Sequence, residues 1–528
     1  MLCRTVFLLL CCALLLSTTV SCSNQTPLYT RSESQSKQSP KKKVVLLMVD
    51  SMLPESIDRL ALENKVPALS FLIKNGTYRR DFISSFPSMS VTIESSLLTG
   101  TYADEHKVPG LLWFDQREGR MISYGDGPRA TWKPGLPEQL FNSLYQLNQT
   151  HLSKRVRTIH EELHELGYTT ASINSLVYRG NYNHKLVLPR FLPSHLLEPP
   201  SLNAKGPMLL GFGSASKVTQ RNLPDGPLYA FGFNDAYTAQ SLVALLKENR
   251  MPDLTMAYFP DMDGEIHKHG PGYLKALVRV DEQLQLILNS FGDWRRALEQ
   301  YVFVVVGDNG ASAIHAEEEI GDIKLERLLR GLSLYRLGGE RKATDDVAVG
   351  VNGRMSYIYS LSPNASVPTL LERLKEDGRM ELLVWKDGGW IHAMQGRTKL
   401  RFSYRPGNMI RDSFGQGWDV KGDGQVMGLQ KLPQTGVWDT PYFPDGLRRL
   451  ASVFASHEGQ FLVALAAPGY EFLADGSPSH SGGGNHGGLH REDSFIPLIV
   501  AGVNGHVSLP RRMIEMKGFL LQLLQRRS

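Results

Sequence analysis

Val44-Val45-Leu46-Leu47-Met48-Val49 runs without a polar side chain straight into Asp50. A stretch this short, apolar on both faces and rich in β-branched residues, predicts a strand buried inside a parallel sheet. The pattern recurs at Leu254–Phe259, followed by Asp261 and Asp263, and at Tyr301–Val306, followed by Gly307 and Asp308. Helical patterns fill the intervals: Ser56–Leu62, Ala68–Lys74, Val91–Leu98 with a stop at Gly100, Lys154–Leu166, Ala236–Glu248 and Tyr273–Leu298. Thr169–Ile173 reads as a further strand. Strands alternating with helices specify an open α/β sheet, and the expected architecture is a three-layer α/β/α sandwich.

The 528 residues, 42% hydrophobic and 21% charged with 49 Gly and 29 Pro, exclude collagen-like, coiled-coil and wholly disordered chains. Residues 43–345 are expected to form the first part of the core. Beyond them the texture changes: Glu381–Tyr404 mixes Trp, Gly and alternating polar residues, as antiparallel hairpins do. Residues 346–440 are therefore expected to form a smaller α+β insertion or cap. Residues 441–528 are expected to return to the core through Phe461–Ala466 and Phe495–Val500 and to close on a helix, Arg511–Leu524. The net charge of +5 is spread along the chain, and Lys41-Lys42-Lys43 is its one basic run. No nucleic-acid polymer is expected as a partner.

Each core-like strand stops at an acidic residue, and ligands of open α/β sheets bind outside the carboxyl ends of the strands. Carboxylates gathered there repel one another unless cations lie between them. Asp263 and His267, four residues apart, and His486 in the loop Gly483-Gly484-Asn485-His486-Gly487-Gly488 make a zinc-type set with room for a substrate. Phe86-Pro87-Ser88-Met89-Ser90 leads into the helix Val91–Leu98. A serine at a helix start can cap backbone amides, and the same amides can hold a phosphate oxygen.

In order along the chain, Val44–Asp50, Phe86–Gly100, Tyr258–Pro271, Val304–Gly310 and Asn485–Leu489 resemble the type I phosphodiesterase/nucleotide pyrophosphatase family of the alkaline phosphatase superfamily. The resemblance implies an alkaline phosphatase-like fold and a hydrolase of small phosphate esters with two divalent metal ions, zinc in at least one site. On it, Asp50, Asp308 and Ser90 hold the nucleophile-side metal, with Ser90 at the position of the family's nucleophilic Thr. Asp263, His267 and His486 hold the second. Two ions about 4 Å apart suit in-line phosphoryl displacement, here through a phosphoseryl intermediate. The family reads Asp-His-Gly where this chain reads Asp308-Asn309-Gly310, so the amide of Asn309 replaces an imidazole and shifts that site toward Mn2+ or Mg2+. His315 is the nearest sequence candidate to complete it. An ungapped reading puts Leu111 where nucleotide-hydrolysing relatives carry an Asn. A phosphomonoesterase and a surface binding protein with an impaired metal site are the alternatives; a sulfatase is excluded because Ser90-Val91-Thr92-Ile93-Glu94 lacks its nucleophile motif.

All four cysteines lie in the first 22 residues, among Arg4, the apolar run Val6–Leu16 and small residues ending in Ser21-Cys22. This reads as a signal peptide over 1–21, with 22–42 as a flexible tether rich in Ser, Gln and Lys. Thr19-Val20-Ser21-Cys22 is similar to a bacterial lipobox, so export and lipid anchoring through Cys22 on the outer face of the cytoplasmic membrane are expected. Mass spectrometry of the mature protein should find an acylated Cys22 at its N-terminus; an unmodified terminus, or one beyond Cys22, contradicts the anchor.

Overall fold

The computed structural model describes residues 41–125, 135–187 and 201–526. The leader, Cys22 and nearly all of the tether lie outside the described residues, among which no helix is long and apolar enough to cross a membrane.

Among the described residues the central sheet has seven strands: β1 (Lys43–Val49), β2 (Gly76–Ile83), β3 (Thr170–Ile173), β4 (Leu209–Gly211), β5 (Leu254–Phe259), β6 (Tyr301–Gly307) and β7 (Phe495–Ala501). Their spatial order is β2-β7-β6-β1-β5-β3-β4. The run from β6 to β4 is parallel, and β7 lies antiparallel to both of its neighbours. Alternation along each strand explains why both faces are apolar. Val45, Leu47 and Val49 enter one cluster with the helices Pro54–Leu62, Pro67–Lys74, Asp235–Lys247 and Leu274–Asn289. Val44, Leu46 and Met48 enter the other with Ser90–Thr99, Ile159–Glu165 and Met516–Gln525. Fully burying each such side chain contributes roughly 1.5–3 kcal/mol, which makes β1 the mechanical centre of a three-layer α/β/α sandwich.

Local chemistry trimmed two expected helices. Thr158 and Glu161 form a reciprocal capping box, so the helix starts at Ile159 rather than near Lys154. The stretch Tyr273–Leu298 breaks where Gly292 takes φ 76° and Asp293 caps a new helix, Trp294–Gln300.

A second sheet is antiparallel throughout: Val347–Asn352, Met355–Ser360, Phe461–Ala466, Met380–Asp387, Trp390–Gln395, Arg401–Arg411 and Gly417–Gly422, in spatial order. Phe461–Ala466, expected in the core, thus lies inside this sheet between Met355–Ser360 and Met380–Asp387. Its continuous apolar run has the same cause as that of β1. Val463 and Leu465 pack on one face with the helix Gly446–Val453, and Leu462 and Ala464 on the other with Val367–Leu374.

The turn between the first two strands of the second sheet is clasped to the core. Arg354 and Asp493, both fully buried, form an ion pair. Arg354 also donates to Ser312 Oγ at 2.6 Å and Ala466 O at 3.0 Å, while Asp493 accepts from Gly488 N–H at 2.7 Å. The backbones meet so closely that a Cβ on Gly353 would lie 2.2 Å from His486 O, and one on Gly487 would lie 2.0 Å from Asn352 O. Removing one partner of a buried pair strands the other charge. Asp493→Ala is expected to lower stability by about 3–5 kcal/mol, read from urea denaturation.

Candidate active site

Asp50 follows β1, Asp308 follows β6, and the helix Asp261–His269 begins just after β5 with Asp263 and His267 one turn apart on one face. Ser90 opens the helix Ser90–Thr99, whose Thr92 and Ile93 amides bond back to Met89 O, leaving those of Ser90 and Val91 outside the helical ladder. The loop around His486 arrives ahead of β7 and is tied to the serine segment. His486 Nδ1–H donates to Ser88 O at 2.7 Å, and Gly487 N–H donates to Ser88 Oγ at 2.8 Å.

The structure brings Asp50, Ser90, Asp263, His267, Asp308, Asn309 and His486 into one hydrogen-bonded group. Ser90 Oγ donates to Asp308 Oδ2 at 3.0 Å. Asp308 Oδ1 accepts from the amides of Ser51 at 2.9 Å and Asn309 at 2.7 Å. Asp263 faces the Nε2 atoms of His267 and His486, each 3.3 Å from a carboxylate oxygen. One ligand atom from each of these three residues lies within 4.8 Å of the others, a spacing that fits a metal ion. The Nδ1 of His267 is engaged by Gly484 O at 2.9 Å, which leaves Nε2 directed inward, as metal-ligating imidazoles require.

The electrostatics point the same way. Burial, then the charges of Asp308 and Asp263, push the Asp50 carboxyl well above the usual carboxylate range. Burial also raises Asp308. Enclosure favours the neutral form of Asp263 too, but His267 and His486 outweigh it and hold that carboxyl well below its usual range. Asp50 Oδ1 and Asn309 Oδ1 are buried with no hydrogen-bond partner among the described residues. A buried polar atom left unpaired costs about 1–3 kcal/mol, so two such oxygens beside crowded carboxylates fit a bound cation.

Three participants escaped the sequence reading. Tyr258 donates its hydroxyl to Asp50 Oδ2 and lies 3.3 Å from Ser90 Oγ. Its signal was a lone phenol in a buried strand, where the O–H must find a partner. Ser51, immediately after the strand-ending Asp50, donates its hydroxyl to Asp263 Oδ1 at 2.7 Å and accepts from Asn309 Nδ2 at 2.8 Å. Glu94, one turn beyond Ser90, accepts from Val177 N–H at 2.8 Å, and its other oxygen is buried without a hydrogen-bond partner among the described residues. Two sequence candidates stay out of the group. His315 is exposed and packs its ring 5.1 Å from that of Tyr470, so it does not complete the Asp308–Asn309 side. Leu111 contributes its amide to Asn352 Oδ1 at 2.7 Å.

The fold and this carboxylate–imidazole–serine edge define an alkaline phosphatase-like hydrolase. The family model for type I phosphodiesterase/nucleotide pyrophosphatase matches residues 44–382, and the chain belongs to this family of phosphoric-ester hydrolases. Among solved structures, the chain is similar to phosphonoacetate hydrolase from Sinorhizobium meliloti 1021 in complex with phosphonoformate, with TM-score 0.54 and 14% identity over 92% of this chain and 96% of that one. Murine ectonucleotide pyrophosphatase/phosphodiesterase 5, in an inactive form bound to AMP, gives TM-score 0.53 and 12% identity over 92% and 95%. At these identities the likeness is one of fold. No curated protein sequence matches the chain significantly.

Burial pushes the Glu94 carboxyl up to about 8. The folded protein therefore keeps this proton at pH values where the unfolded chain has released it, and stability falls as pH rises from the ordinary Glu value toward 8. Glu94→Gln should flatten that decline, so in metal-free protein its melting temperature should exceed the wild-type value at pH 8 by more than at pH 5.

Proposed function

We propose that this chain is an exported phosphodiesterase of small phosphoric diesters, with Ser90 as nucleophile. The observation that carries the reading is the Ser90 hydroxyl, at the start of a ten-residue helix and 3.0 Å from Asp308 Oδ2. Asp308 accepts the proton as Ser90 Oγ bonds to phosphorus. The first-turn amides of the helix favour the anionic phosphoryl oxygens, and Tyr258 holds Asp50 beside the nucleophile. Departure of the alkoxide leaves a phosphoseryl group on Ser90. Water then attacks that phosphorus, its oxygen joining the released monoester; the proton held by Asp308 returns to Ser90 Oγ, and a water proton makes the departed alkoxide the alcohol.

Asp263, His267 and His486 would hold one divalent ion, and their nitrogen-rich set suits zinc. Asp50, Ser90, Asp308 and Asn309 would hold a second through oxygen alone, which suits Mn2+ or Mg2+. Bound there, such ions supply charge stabilisation to the entering and leaving oxygens. The leader and Cys22 support action outside the cytoplasmic membrane on a lipid-anchored enzyme.

Metal analysis combined with turnover of bis-p-nitrophenyl and p-nitrophenyl phosphate tests the reading. One tightly held zinc, activity raised by added Mn2+, a preference for the diester and complete loss in Ser90→Ala are expected. Faster monoester turnover makes the enzyme a phosphomonoesterase, and no turnover with any metal leaves a binding protein.

A further inference from the structure

Ser51 has a left-handed backbone, φ 52°, that a non-glycine residue adopts only at a conformational cost. Glycine would adopt it freely. The residue is fully buried, so contact with water does not account for a serine there. Its amide bond to Asp308 is open to any residue. What serine alone adds is the hydroxyl, and both of its hydrogen-bonding roles are used: it accepts from Asn309 Nδ2 at 2.8 Å and donates to Asp263 Oδ1 at 2.7 Å.

The consequence falls on Asn309. Its second Nδ2 proton goes to Gly310 O at 3.2 Å, so both donors of the carboxamide are engaged. Turning the amide over would set Oδ1 against that carbonyl oxygen, acceptor to acceptor. Oδ1 is therefore held in one direction, buried and with no hydrogen-bond partner among the described residues.

The geometry points to Ser51 as the positioning residue that makes Asn309 an oxygen ligand of the cation beside Ser90 and links that site to Asp263 of its neighbour. The inference rests on the two-cation reading above. The nucleophile-side cation then has no nitrogen ligand, whereas the Asp263–His267–His486 cation has two.

Ser51→Gly tests this, because glycine adopts the left-handed conformation without steric strain and the substitution removes only the hydroxyl group from the site. Metal-free full-length protein is titrated with Mn2+, with binding followed by electron paramagnetic resonance and histidine nitrogen couplings by its pulsed form. Two ions per wild-type chain are expected, one of them coupled to nitrogen. In Ser51→Gly the uncoupled ion should bind about 10–100-fold more weakly, the magnitude typical when a ligand loses its outer support. The coupled ion should change less, and the metal-free variant should remain folded with a single cooperative melting transition. Nitrogen coupling on both ions, a single ion in wild type, or unchanged binding in the variant overturns the inference. So does a metal-free variant that melts lower and loses both ions together, since Ser51 would then be a structural residue. Two ions behaving as expected in a protein that turns over no ester would instead leave this inference standing and remove the phosphodiesterase reading.

Discussion

Three carboxylates crowd the carboxyl edge of the central sheet. Asp50 and Asp308 are buried, and Asp263 stands across from them, joined through Ser51. Like charges in such surroundings either take up protons or recruit cations. Most of the site's architecture answers that choice. His267 and His486 lean on Asp263, three donors converge on Asp308, and the Tyr258 phenol serves Asp50. The Ser90 hydroxyl, placed among them, would be favoured as its anion once positive charge is present, which is the role the proposed function gives it.

The core was legible because period-2 burial on both faces leaves an unmistakable trace, as in Val44–Val49 and Tyr301–Val306. That same trace misled at Phe461–Ala466, since an antiparallel strand covered by helices on both sides is apolar for the same reason. Composition cannot tell the two apart; only strand pairing does. In the site, charged and imidazole side chains at strand ends and in a glycine loop announced themselves. Ser51, Tyr258 and Glu94 did not, because their importance comes from which atoms they meet across 200 residues or more of chain in two cases, and from an environment that isolates a carboxyl in the third. His315 shows the converse: nearness in sequence to Asn309 did not bring its ring to the site.

The second sheet is part of the site's frame rather than an ornament on it. Gly353 and Arg354 lie directly behind the His486 loop, and the Arg354–Asp493 pair anchors that loop to the core. A ligand that must present one nitrogen inward gains from such a wall, since backbone freedom in a glycine-rich loop would otherwise blur its position.

The clasp also gives the site a direction in time. Asp50 and Ser90 leave the ribosome well before His486, Asp493 and β7. A growing polypeptide can assemble β1, β5 and β6 in order, but the set of Asp263, His267 and His486 stays one imidazole short until the glycine loop has been made. On the proposed function, capture of a metal by the complete set thus follows synthesis of that loop. A fragment that ends before the glycine loop carries the Ser90 hydroxyl without His486, and on the proposed function without the neighbourhood that would activate it.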